Sequence, residues 1–321
     1  MRSARAAIFA ALAGVVLGGP WIAPYDPGRQ FDGYPYAPPM RLHVIDGRGA
    51  WHLPFAYPVV IVDRLERRYA EDRSRRATFA SAEPWFLLGS DGLGRDVLSR
   101  LLAGARLSLG VALLATAAAL VLGALAGACA AYAGGWTDAV LMRLADLVIV
   151  LPVLYLVLAL RGALPLVLGA AEVFAALVGV LAIAGWPSVA RGVRGILVAE
   201  GRAEYAEAAR ALGSSPARVI VRHLLPASRG FLAAQATVLV PSFVMAEATL
   251  SFVGFGFAPP SPSWGAMLID VARVQIAADA PWLLAPAAAL TATVFAIQSA
   301  GSGTALPPRP PSGPKLLKTN E

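Results

Sequence analysis

Residues 107–137 read LSLGVALLATAAALVLGALAGACAAYAGGWT, and nothing in that stretch is charged. A hydrocarbon core about 30 Å thick is crossed by roughly 20 apolar residues wound as a helix. The run therefore predicts a membrane span, placed near 107–131. Working outward, five further stretches reach the needed length, near 6–24, 141–160, 173–190, 230–252 and 281–300. The one at 141–160 must begin among polar neighbours, because Arg143 and Asp146 occupy its first turns and only 14 uncharged residues separate Asp146 from Arg161. Composition agrees: of 321 residues 57% are hydrophobic and 15% charged, against about 25% charged in a soluble domain. The expectation is an all-α membrane protein with six transmembrane helices.

The chain opens Met1-Arg2-Ser3-Ala4-Arg5 before an apolar run, as a signal peptide would. No small-x-small cleavage pattern closes that run, which ends in Trp21-Ile22-Ala23-Pro24-Tyr25-Asp26-Pro27. An uncleaved first span is expected. The net charge of +7 is scattered among hydrophobic spans and is almost all arginine, which fits membrane-flanking charge rather than a nucleic-acid surface. The single cysteine, Cys129, excludes a disulfide framework and reads as a small packing residue.

Positive charge sets sidedness. Residues 188–229 carry seven arginines (191, 194, 202, 210, 218, 222 and 229), the N-terminus carries Arg2 and Arg5, and the tail carries Arg309, Lys315 and Lys318. All three regions belong in the cytoplasm, as six spans allow. The connections holding Arg161 and Arg273 then face out. Residues 25–100 contain eleven arginines and ten acidic residues, and so long a segment translocates regardless of charge.

The expected organisation is a tail and first helix over 1–24, an extracytoplasmic insert over 25–100, a transmembrane core over 101–300 with its loop at 188–229, and a Pro-rich basic tail over 301–321. Within the insert, Val59-Val60-Ile61-Val62 reads as a strand, and the mixed charges of 63–76 read as a solvated helix. His43 and His52 lie nine apart without cysteine support, so no metal site is expected. Trp21, Tyr132, Trp136, Trp186, Trp264 and Trp282 fall at expected span ends, where amphipathic rings favour the headgroup layer. Gly14-x-x-x-Gly18 and Gly123-x-x-x-Gly127 would permit close helix approach. Pro152, Pro241 and Pro286 fall inside spans and would kink them.

The loop carries the functional signal. Residues 200–212 are rich in Ala, Glu, Arg and Leu and predict a helix. Gly213 is a natural stop, Ser215 caps a second helix with Pro216 in first position, and Pro226 ends it. The product is a short helix–turn–helix elbow. Small Ala208 and Ala209 would let a partner's surface approach, with Glu207 and the arginines at the rim.

Glu207-Ala208-Ala209, then Gly213, then His223-x-Leu225-Pro226 resembles the EAA loop of ABC importer permeases. The resemblance continues in Leu88 to Arg100, in Gly104 to Leu109, in Gly134-Gly135-Trp136-x-Asp138, in Glu247 to Gly254 and in Pro262 to Leu268, which are similar to the dipeptide/oligopeptide/nickel permease family. It runs nearly continuously from 88 to 300, and the insert resembles that of the second-permease type. The resemblance implies a multi-pass permease of the bacterial inner membrane with both termini cytoplasmic, working by alternating access on peptides, nickel chelates or similar solutes. Its partners would be a second permease subunit in a heterodimer, two cytoplasmic ABC ATPase subunits and an extracytoplasmic solute-binding protein, all within membrane lipid. It implies that Glu204, Tyr205, Glu207, Ala208, Ala209, Gly213, Pro216, His223 and Pro226 couple to the ATPase. The chain departs from the family at Ala227, where Asn is usual, and after Gly301, where an acidic stretch is usual.

A P-loop needs Gly-Lys-Ser/Thr so that lysine reaches the phosphates, but the only lysines, Lys315 and Lys318, follow Pro314 and Leu317. The chain is thus not expected to be an enzyme or to hold a cofactor, with ATP and magnesium on the partner ATPases. An ion-coupled secondary transporter or channel is the alternative, and it would use ionisable groups at mid-membrane. Glu247 is the one good candidate and, with Pro241, could line a translocation path. A buried structural hydrogen bond would explain Glu247 equally well. A membrane-bound enzyme lacks any motif.

Overall fold

The computed structural model describes residues 21–45, 50–63, 68–75, 84–152 and 169–301, with isolated positions at 14, 18, 19, 155, 156 and 159. Most of the expected span at 6–24, the later part of 141–160 and the tail beyond 301 lie outside the described residues.

Among the described residues, four stretches are long and apolar enough to cross a membrane: Val97–Ala133, Ala170–Glu200, Arg229–Phe252 and Pro281–Ala300. They contain the helices α1 (Val97–Ala133), α3 (Ala170–Glu200), α6 (Arg229–Phe252) and α7 (Ala285–Gly301). Between α1 and α3 lies α2 (Gly135–Val150), and α4 (Glu204–Ala211) and α5 (Pro216–Val219) stand before α6. At 1.5 Å per residue, α1 is about 55 Å long and α3 about 46 Å, well beyond a core of about 30 Å. The helices therefore run past the apolar runs that announce them. Arg191 and Arg194, expected in the loop, belong to α3, and the true connection is 201–228.

The packing places small residues inside and large ones outside. α1 buries Ala105, Ala112, Ala115, Ala119, Gly123 and Gly127, and exposes Leu113, Leu114, Val121, Leu122 and Leu125. Large apolar side chains turned outward suit lipid, and small ones let backbones meet. A Cβ on Gly123 would lie 2.4 Å from Val189 Cβ and 2.7 Å from Trp186 O, and one on Gly127 would lie 2.5 Å from Ala190 O. The second glycine pair is thus a real helix contact. For the first, among the described residues, nothing stands within 4 Å of a Cβ on Gly14, and Gly18 meets only the Ile22 side chain of its own segment. Cys129 is exposed, a correction to its expected packing role.

Helix directions follow from these contacts. Gly110 faces Phe174, Ala119 faces Gly185 and Gly127 faces Val193, so α1 and α3 run parallel. Gly192 meets Phe231 while Gly185 meets Phe243, so α6 is antiparallel to α3. Two charge pairs, Asp138 with Arg194 and Asp146 with Arg191, fasten α2 to α3. The second accounts for Asp146, the acidic residue that spoils the apolar run at 141–160. That run is not one helix, because α2 ends at Val150 ahead of Pro152, where the pre-proline residue disfavours helix.

At the Val97 end, the chain forms two antiparallel hairpins, β1 (Leu42–Ile45) with β2 (Trp51–Ala56) and β3 (Val59–Asp63) with β4 (Arg68–Glu71). The expected strand at 59–62 is β3. The expected helix across 63–76 is replaced at Arg68–Glu71 by strand, where Tyr69 pairs with Ile61. A separate core of Ala37, Met40, Ala56, Val59, Trp85 and Phe86 closes this region.

Three of the tryptophans expected at span ends are not membrane anchors. Trp186 lies in the middle of α3. Trp264 is buried and donates its Nε1–H to Leu101 O at 2.9 Å, and Trp282 donates to Ser90 O at 3.0 Å. Trp21, Tyr132 and Trp136 are exposed, as a headgroup position requires. Of the prolines, Pro241 sits inside α6 and Pro286 in the first turn of α7, where its missing N–H costs nothing. Pro187, which falls within the expected span at 173–190, lies inside α3.

α1 starts at Asp96, whose carboxylate accepts from the Ser99 N–H at 2.7 Å and the Ser99 hydroxyl at 2.6 Å. Asp96→Ala removes this cap and should lower stability by about 1 kcal/mol, read as a lower melting temperature of the detergent-solubilised protein. An unchanged melting temperature would show that the cap is dispensable.

Candidate coupling surface

α3 ends at Glu200, and the turn 201–203 leads into α4 at Glu204, so the expected single helix over 200–212 is two segments. Glu204 and Glu207 occupy the first turn of α4 and Arg210 its last, the order that the helix dipole favours. The Tyr205 hydroxyl donates to Glu200 Oε2 at 2.8 Å and ties the two helices together. α4 buries Ala206 and Ala209 against the main core and exposes Glu204, Tyr205, Glu207, Ala208 and Arg210. Ala209 thus packs inward, a correction to its expected place beside Ala208 on a partner-facing surface.

Gly213 has φ +77°. The Ser214 N–H bonds Ala209 O at 3.0 Å and the Gly213 N–H bonds Arg210 O at 2.9 Å, which is the full Schellman termination. The turn leaves Leu212 87% exposed, an apolar side chain standing free at the tip of the elbow. Sequence reasoning does not find it, because Leu212 reads as one more helix-forming residue.

Pro216 opens α5 as expected, and the Val219 N–H bonds Ser215 O at 3.1 Å. Residues Ile220–Leu224 then widen into a π turn closed by the Leu225 N–H on Ile220 O. Pro226 supplies the cause. It has no N–H for an ordinary i−4 bond, and its ring would strike the carbonyl at that position, so the backbone takes up one extra residue before it. The helical path therefore continues through Pro226 to Ala227 rather than ending there. The side chains of Pro216 and His223 lie outside the described set. Where Asn is usual, Ala227 contributes no cap; the next residue, Ser228, is buried and donates to Leu225 O at 2.7 Å.

Behind the elbow is a cleft of about 380 Å³ between the ends of α1 and α3, lined by Ala128, Tyr132, Leu197, Arg202, Arg210 and Leu224 among others. The structure brings Glu204, Tyr205, Glu207, Ala208 and Gly213 together on this one elbow. It places Glu247 and Pro241 elsewhere, both buried in α6.

Comparisons with known proteins agree with this architecture. Residues 119–306 match the family described as binding-protein-dependent transport system inner membrane component. A putative peptide permease protein of Brucella ovis is 36% identical over 220 residues, spanning 68% of this chain and 70% of that protein. The oligopeptide transport system permease protein OppC of Bacillus subtilis is 34% identical over 239 residues, 74% of either chain. A chain of the inward-facing MetNI methionine ABC transporter is similar in fold, with a TM-score of 0.51 at 19% identity, covering 63% of this chain and 93% of that one. The chain belongs to the family of binding-protein-dependent transport inner membrane components, and it is a permease subunit of an ABC importer.

Proposed function

We propose that this permease imports peptides or closely similar solutes, and that its elbow at 204–226 is the surface through which a cytoplasmic ATPase drives it. The peptide assignment is supported by the names of its relatives, a peptide permease and an oligopeptide permease. The coupling assignment is carried by one observation: a rigidly terminated turn that presents exposed Glu207, Ala208 and Leu212 to solvent. A polar rim around a free apolar side chain is what a groove on a partner would grip.

Six spans with cytoplasmic termini complete the reading. Because α1 and α3 run parallel, the chain between them must return across the bilayer once. The elbow then faces the cytoplasm, and the hairpins at the opposite end face outward toward a solute-binding protein. A second permease subunit completes the translocation path as a heterodimer. Two ATPase subunits bind ATP and magnesium, this chain carrying no lysine before residue 315.

Co-purification with the cognate ATPase tests the coupling. Gly213→Pro cannot adopt φ +77° and destroys the turn, and Glu207→Arg reverses the charge of an exposed rim position. Each should reduce ATPase retention and uptake by about tenfold, the equivalent of 1.4 kcal/mol. Wild-type association and uptake in both variants would sink the docking assignment.

A further inference from the structure

The loop that follows α6, residues 253–268, folds back onto the Val97 end of α1. The Trp264 N–H bonds Ser108 Oγ of α1 at 3.2 Å, and the Phe257 N–H bonds Ser251 Oγ of α6 at 3.2 Å. Ser263 Oγ accepts from the Ala266 N–H at 3.2 Å within the loop itself. The fit is tight: a Cβ on Gly265 would lie 2.1 Å from Ala248 O, and one on Gly256 would lie 2.1 Å from Ser251 Oγ.

All three serines are fully buried, and so is Glu247. The Ser251 hydroxyl donates to Glu247 Oε1 at 2.7 Å. Ser108 and Ser263 also face the carboxyl group, while Oε2 completes no hydrogen bond of ordinary geometry among the described residues. The Ser251 hydroxyl thus spends its proton on Glu247 and accepts the Phe257 N–H of the loop, while Ser108, whose oxygen receives the Trp264 N–H, lies beside the same carboxyl. A hydroxyl can rotate freely about its C–O bond; an acceptor for its proton removes that freedom and aims its lone pairs at the loop. That is a reason for an acidic residue here which needs no solute or ion.

We infer that Glu247 is a positioning residue: it locks loop 253–268 to α1 and α6, so that the three move as one body when the permease changes state. Together with the outward orientation proposed above, on which this second part rests, the loop would carry contact with the loaded binding protein into the helices.

The test uses the whole transporter in lipid nanodiscs and reads two quantities. Amide hydrogen exchange should rise about tenfold at Phe257 and Trp264 in Glu247→Ala, the loss of roughly one net hydrogen bond. Exchange in the middle of α1, α3 and α6 should stay as in the wild type, and Glu247→Gln, which keeps one acceptor oxygen, should give a smaller rise. No rise in the loop overturns the inference; so does a uniform rise through all three helices, which would make Glu247 a general core residue. If Glu247→Ala yields no folded protein, Glu247→Gln decides by the same criterion at the Phe257 and Trp264 amides. ATP hydrolysis is the second quantity: stimulation by loaded binding protein should fall while the basal rate persists. A loosened loop with unchanged stimulation leaves the lock standing and overturns only the outward role of the loop.

Discussion

Gly123→Val should leave little or no monodisperse protein, and whatever is recovered should melt far below the wild type. The reason is the identity of the atoms in the way. A Cβ at 123 meets Val189 Cβ at 2.4 Å, Val189 Cγ1 at 2.7 Å and the backbone carbonyl of Trp186 at 2.7 Å. None of these is the end of a flexible chain that could swing aside. The helices must separate, and separation also opens the contact at Gly127, where Ala190 O would stand 2.5 Å from a Cβ. Overpacking of a fitted core costs about 1–3 kcal/mol, and a backbone clash falls at or above the top of that range. Gly195→Ala is the control, because nothing lies within 4 Å of a Cβ there. It should be neutral or stabilising by up to about 1 kcal/mol, since alanine favours helix. Size-exclusion profile and melting temperature in one detergent decide the matter. A well-behaved Gly123→Val protein would mean that α1 and α3 do not meet in this way.

The second large effect is expected at Asp91. Its Oδ2 accepts from Arg95 Nε at 2.7 Å and lies 3.4 Å from Arg100 Nε, and all three side chains are nearly inaccessible. Its Oδ1 receives the backbone N–H groups of Leu93 at 2.9 Å and Arg95 at 3.0 Å. Asp91→Ala therefore strands two buried guanidinium groups and undoes the turn that delivers the chain into α1. Removing one partner of a buried pair costs about 3–5 kcal/mol. Asp270 also faces both arginines, but burial holds its carboxyl above the ordinary carboxylate range, so it is a reluctant replacement. Asp91→Asn separates the two roles: it keeps an oxygen for the turn and discards the charge, and it should fall between alanine and wild type. Equal melting of Asp91→Ala and wild type would refute the account.

How much of this is legible in the sequence depends on what kind of fact each feature is. The apolar run at 107–131, the strand at Val59 and the stop at Gly213 are local, and each follows from composition or from the φ a residue tolerates. The partners of those elements are not local. Gly14-x-x-x-Gly18 and Gly123-x-x-x-Gly127 are the same pattern, yet among the described residues only the second lies under another helix. Trp264 and Trp282 resemble lipid anchors because rings near span ends often are, whereas their N–H groups hold distant carbonyls. Asp146 reads as a defect in a span until Arg191, 45 residues later, is seen beside it. The elbow divides in the same way. Its termination is legible, but the inward turn of Ala209 and the exposure of Leu212 depend on where the core lies.

The glycine contact divides α1 unequally, and that has a mechanical consequence. Taking its midpoint near residue 125, one arm of the helix extends about 12 Å to Ala133 and the other about 42 Å to Val97. Nearer the far end the neighbour is the ring of Phe174, 3.4 Å from a Cβ on Gly110, and a ring yields by turning where a backbone does not. A rod pinned this way is a lever of roughly 3.5 to 1. A displacement applied at the Ala133 end would, by this geometry, be enlarged at the Val97 end without any helix having to bend.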